Sequence, residues 1–74
     1  MNVLIVDDDH FVVAALKKRI HWTDLGFENV YTAYGMEDAR NTITSEHIDL
    51  LLSDIDMPHG SGIDLLRWLR DHHN

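Results

Sequence analysis

The feature that most constrains this chain is a short β-branched apolar run, Val3 to Val6, that stops at three consecutive carboxylates, Asp7-Asp8-Asp9. Four apolar residues without alternation fit a strand buried on both faces, and an abrupt change to acid marks where it surfaces. A helical pattern follows at once: Val12, Val13, Leu16 and Ile20 recur at three- and four-residue spacing. Lys17, Lys18 and Arg19 lie largely off that stripe, near the end where positive charge suits the helix dipole. The spacing predicts a helix over His10 to His21, N-capped by Asp9.

The same sequence of events repeats. Trp22 to Gly26 reads as a turn, Asn29 to Ala33 as a second strand, and Met36 to Glu46 as a second helix with Met36, Ala39, Ile43 and His47 on one face. The poor helix formers between Asn41 and Ser45 are its weak stretch. Asp49 to Ser53 contains Leu50-Leu51-Leu52 and again ends in a carboxylate, Asp54. A loop over Asp56 to Gly62 precedes a third helix from Ile63 to Asp71. The pattern βαβαβα specifies an α/β fold: an open, doubly wound parallel sheet with helices on both faces and right-handed crossovers.

Ligands in such sheets bind outside the carboxyl ends of strands, above all where strand order reverses. With strand one between strands two and three, Asp7 and Asp8 stand beside Asp54. Three such carboxylates raise one another's pKa and oppose folding unless a cation enters. Mg²⁺ suits these hard oxygen ligands, whereas the spaced ligands and closing Glu of an EF-hand calcium loop are missing. A carboxylate in this setting is also a nucleophile that forms an aspartyl phosphate, with positioning and electrostatics supplying the catalysis. The competing reading makes strand-end acids mere turn and cap groups, and it suits Asp9 best.

Composition narrows the classes further. With 74 residues the chain holds one small domain or part of one. No Cys is available for disulfides or thiolate metal sites, and no membrane span or signal peptide is apparent, so a cytoplasmic protein is expected. A net charge of −7 opposes direct nucleic-acid binding by this segment, Lys17-Lys18-Arg19 being too small a patch. The six His show no metal-ligand spacing and read as surface or helix-end residues. His59, in the loop after Asp54, lies nearest the cleft in sequence but reads as a surface residue like the others, while Trp22 and Trp68 read as packing residues. No phosphate-binding glycine motif occurs, Gly35 and Gly60 being turn glycines.

Val6-Asp7-Asp8-Asp9 and Ser53-Asp54-Ile55-Asp56-Met57-Pro58, with Gly62 beyond, resemble the receiver domain of two-component response regulators. The resemblance implies a flavodoxin-like (CheY-like) fold of strand order 2-1-3, with Asp54 as phosphoacceptor. It implies Asp8 as a direct Mg²⁺ ligand, Asp7 as a largely water-mediated one, and Asp56 as a ligand through its backbone carbonyl. Its phosphoryl donor is a histidine kinase or phosphotransfer protein, and it controls an effector domain. Gly60 and Ser61 depart mildly from the family's usual loop.

The Ile20-His21-Trp22, Leu25-Gly26-Phe27 and Gly60-Ser61-Gly62-Ile63 segments are similar to those of receivers joined to an AraC-type DNA-binding effector. Residues 1–74 correspond to the N-terminal part of such a receiver. The family's fourth and fifth strands, with their phosphate-sensing Ser or Thr and their Lys, are expected beyond it. An uncovered third strand then predicts self-association through its edge. Two other functions stay open: a Mg²⁺-dependent phosphohydrolase with an Asp nucleophile, for which Asp54-Ile55-Asp56 has the spacing, and a degenerate receiver used for protein interaction. As a receiver, the chain catalyses its own phosphorylation at most.

Overall fold

The computed structural model describes residues 1–53 and 67–71. Its elements run β1 (Asn2–Val6), α1 (His10–Arg19), a 3₁₀ turn (Thr23–Leu25), β2 (Asn29–Ala33), α2 (Met36–Ser45) and β3 (Leu50–Ser53), and residues 67–71 are helical. The three strands are parallel in the order β2-β1-β3. β1 is therefore central, and this explains its unbroken apolar run: Val3, Leu4, Ile5 and Val6 are each at most 1% exposed.

Alternation along β1 divides the core in two, because successive side chains point to opposite faces. Leu4 and Val6 join Ala33, Met36, Ala39 and Ile43 beneath α2, with Trp68 and Leu69 packed on the same cluster. Val3 and Ile5 join Val13 and Trp22, with Leu16, Ile20, Phe27 and Leu52 around them. Helix α1 thus covers one face, and α2 with residues 67–71 covers the other. The first crossover moves from β1 to one neighbour and the second returns to the opposite side, each with its helix on a different face, so both have the same hand. Both Trp are packing residues, as their patterns predict.

Helix α1 ends two residues earlier than its periodicity suggests. Ile20 is already extended (φ −89°, ψ 132°), which lets Trp22 fold back and donate its indole N–H to the Leu16 carbonyl at 3.2 Å. Phe27 meets Trp22 edge-on, with ring centroids 5.8 Å apart. Between them Gly26 takes φ +90°, a conformation that costs little only without a Cβ. Of the predicted α1 stripe, Val13 is buried and Leu16 and Ile20 pack, while Val12 remains 38% exposed. Val13, Leu16 and Ile20 follow the i, i+3, i+7 line, and Val12 sits one rotation to its side.

In α2 the buried face is Met36, Ala39 and Ile43. Its weak segment is held in part by hydroxyls: Thr42 Oγ1 donates to the Asp38 carbonyl at 2.9 Å and Thr44 Oγ1 to that of Arg40 at 2.8 Å. Glu46 is extended and caps the helix, so His47 lies past its end and is exposed rather than on the buried face. There His47 meets the Asp49 carboxylate at 2.9 Å. The other Asp49 oxygen accepts the Asn2 N–H at 2.7 Å, and Asp49 N–H donates to the Asn2 carbonyl at 2.9 Å. This latch joins the starts of β1 and β3. It sets the register that brings Val6 opposite Ser53 at the other edge.

Candidate functional site

The carboxyl edge of the sheet is where the first predicted acidic cluster surfaces. The Asp7 N–H donates to the Ala33 carbonyl at 3.1 Å, extending the β1–β2 contact one residue past the strand. Asp7 is half-buried, and its Oδ1 accepts the Asp9 N–H at 2.9 Å. Asp9 is the N-cap of α1, its Oδ1 accepting from Phe11 N at 2.9 Å and from Val12 N at 3.4 Å. Two of the three acids therefore shape the backbone. The Asp8 side chain is exposed and makes no hydrogen bond or ion pair among the described residues.

A shallow groove lined by Ile5, Val6, Asp7, Leu16, Leu52 and Ser53 runs along the β1–β3 boundary toward this edge. Asp54 and Asp56, the predicted acceptor and carbonyl ligand, lie outside the described residues, as do Met57, Pro58, His59, Gly60 and Gly62. Among the described residues this edge offers the half-buried carboxylate of Asp7 and the solvent-exposed carboxylate of Asp8. That donor chemistry fits a hard cation that keeps part of its water shell.

One pair at this edge is not signalled by any motif. The His10 ring stacks on Tyr34 with centroids 3.8 Å apart and planes inclined by 11°. Periodicity alone makes His10 an ordinary helix-end residue. Topology was the available signal: β2 lies beside β1, so the residue after Ala33 and the residue after Asp9 emerge together.

An open parallel α/β sheet of order 2-1-3, with acids at the carboxyl end of its central strand, defines the class of CheY-like receiver folds. The family model described as response regulator receiver domain matches residues 3–74. The chain belongs to that family.

Among curated relatives, it is 36% identical over 70 residues to an uncharacterized response regulatory protein of Staphylococcus epidermidis, covering 95% of this chain and 28% of that protein. It is 38% identical over 65 residues to the transcriptional regulatory protein HptR of Staphylococcus aureus, covering 88% of this chain and 26% of that one. The chain thus spans less than a third of the length of these relatives.

Among solved structures, a two-component transcriptional regulator AraC from Clostridium phytofermentans superposes with a TM-score of 0.91 at 27% identity, over 99% of this chain and 59% of that one. The MaeR response regulator bound to beryllium trifluoride gives 0.84 at 34% identity, over 97% and 58%. The CheX–CheY–BeF₃–Mg complex of Borrelia burgdorferi gives 0.76 at 35% identity, over 99% and 55%.

Proposed function

We propose that this chain is the phosphoacceptor module of a two-component phosphorelay and that Asp54 receives the phosphoryl group from a histidine kinase or phosphotransfer protein. The observation that carries this reading is the register at the carboxyl edge. Val6 pairs with Ser53, so β1 and β3 end level with each other, and the residue that follows in sequence is an acid in both cases, Asp7 after β1 and Asp54 after β3.

In the proposed reaction a carboxylate oxygen of Asp54 attacks phosphorus, the P–N bond of the donor phosphohistidine breaks, and its electron pair returns to the imidazole. Asp8 and the Asp54 carboxylate, the Asp56 carbonyl and, through water, Asp7 would hold Mg²⁺. When bound, that ion neutralises phosphoryl oxygens and favours in-line geometry. The BeF₃-bound and Mg-containing relatives support this reading. In the whole protein the module would act in the cytoplasm on an effector domain, and the transcriptional regulators among its relatives favour a DNA-binding one.

The test is intact mass after incubation with acetyl phosphate and Mg²⁺. A single phosphoryl adduct is expected on the wild-type chain and none on Asp54→Asn; an adduct that persists in the variant removes Asp54 from the role. Turnover of a small phosphomonoester dependent on Asp56 would favour the phosphohydrolase instead.

The same proposal includes self-association. Among the described residues β3 is a sheet edge, and Leu50 on it is 37% exposed. An apolar edge strand recruits another strand. Light scattering on the 74-residue chain is expected to show mass rising with concentration, and a monomer at all concentrations would exclude it.

A further inference from the structure

We propose that His10 and Tyr34 act as a positioning pair for Asp8, clasping the acidic turn in the conformation that receives the cation. The inference rests on the reading of Asp7 and Asp8 as cation ligands. Only Asp7, Asp8 and Asp9 connect the last residue of β1 to the first of α1. The turn is tied at its start by the Asp7 N–H to the Ala33 carbonyl. At its far end the His10 ring rests on Tyr34, the residue after Ala33. Two consecutive residues of β2 and its exit thus anchor both ends of the turn, and Asp8 is suspended between them. Its carboxylate makes no hydrogen bond among the described residues, so its direction follows from the backbone of the turn, which the bond from the Asp9 N–H to Asp7 Oδ1 closes and the two outer anchors hold in place.

The pair is poorly placed to serve global stability. Tyr34 is 40% exposed, His10 is exposed, and neither belongs to the two core clusters. A contact that orders a ligand-bearing turn without supporting the core affects ligand affinity more than unfolding, as residues that orient metal ligands do in metal sites.

The experiment is calorimetric Mg²⁺ titration of the 74-residue chain and of His10→Ala, Tyr34→Ala, the double variant, Tyr34→Phe and Asp8→Asn, with amide exchange measured on the metal-free proteins. Each Ala variant is expected to weaken Mg²⁺ binding about fivefold, the order of effect an aromatic contact supports. The double variant should be no weaker than either single one, and Tyr34→Phe should bind like wild type. Exchange at the Phe11 amide should quicken in Tyr34→Ala without a matching loss of thermal stability. Wild-type affinity in Tyr34→Ala, or single effects that multiply in the double variant, would overturn the clasp while Asp8→Asn still weakens binding. Undiminished affinity in Asp8→Asn would instead overturn the ligand assignment, and the clasp with it.

Discussion

Replacing Asp9 separates its structural role from the chemistry of its neighbours. Its Oδ1 accepts the Phe11 and Val12 amides, which belong to the first turn of α1 and have no partner within the helix. Asp9→Ala removes the acceptor of both amides at an exposed position, where loss of an N-cap costs about 1 kcal/mol. Asp9→Asn keeps an acceptor of the same shape and should cost only a few tenths, chiefly the lost charge at the helix N-terminus. For a chain this small, about 1 kcal/mol corresponds to a fall of roughly 4–8 °C in Tm. With a urea slope of about 1 kcal/mol/M, it moves the midpoint by roughly 1 M. Trp22 is 7% exposed and packs against Phe27, so its fluorescence follows the transition. Equal losses in Asp9→Ala and Asp9→Asn would refute the capping argument and make charge the whole of the effect.

Leu4 is fully buried on the central strand; Leu4→Ala should cost about 2–5 kcal/mol, a large part of the roughly 4–11 kcal/mol expected for a domain of this size, and far-ultraviolet dichroism should show substantial unfolding at 37 °C. Gly26 holds φ +90°, so Gly26→Ala should lose about 1–2 kcal/mol and Gly26→Asn less, by urea midpoints. The Asn2 N–H, with His47 adding to it, holds the Asp49 carboxyl below its ordinary value of 3.8 against partial desolvation. A depressed pKa contributes stability that is complete above the ordinary value and is lost as pH falls through the lower folded one. Acid unfolding of wild type should therefore show a component at that pH which Asp49→Asn lacks.

The order of elements and the central place of β1 were legible because burial on both faces demands an unbroken apolar run, and Val3 to Val6 is one. Met36, Ala39 and Ile43 were legible for the complementary reason that one buried face imposes a helical period. The errors fall where a tertiary contact outranks local preference. Helix α1 stops at Arg19 because Trp22 must return to the core, and His47 leaves the α2 face because Glu46 is extended at the cap. The motif located the acids Asp7 and Asp8, and the structure puts them at the carboxyl edge. It could not register that His10 reaches Tyr34, since that contact depends on the path between the strands rather than on spacing, whereas the bond from the Asp9 N–H to Asp7 Oδ1 is a local turn of the kind strand-end acids commonly make.

The division of labour among the acids makes a final prediction about stability. Asp9 is committed to the helix and Asp7 is partly committed to Asp9, so Asp8 adds charge beside two carboxylates without a hydrogen bond among the described residues to offset it. In metal-free buffer Asp8→Asn should be the more stable protein, by about 0.5 kcal/mol, the size of an exposed like-charge interaction. Mg²⁺ should reverse the order. A ligand that binds only the folded chain adds about 1.4 kcal/mol at ten times its Kd, equivalent to roughly 6–11 °C in Tm, and the variant should gain much less. Melting curves for both proteins across a Mg²⁺ series, matched in ionic strength with KCl, should therefore cross. Parallel curves with the same Mg²⁺ gain in both would show that the ion acts on the overall negative charge and not through Asp8.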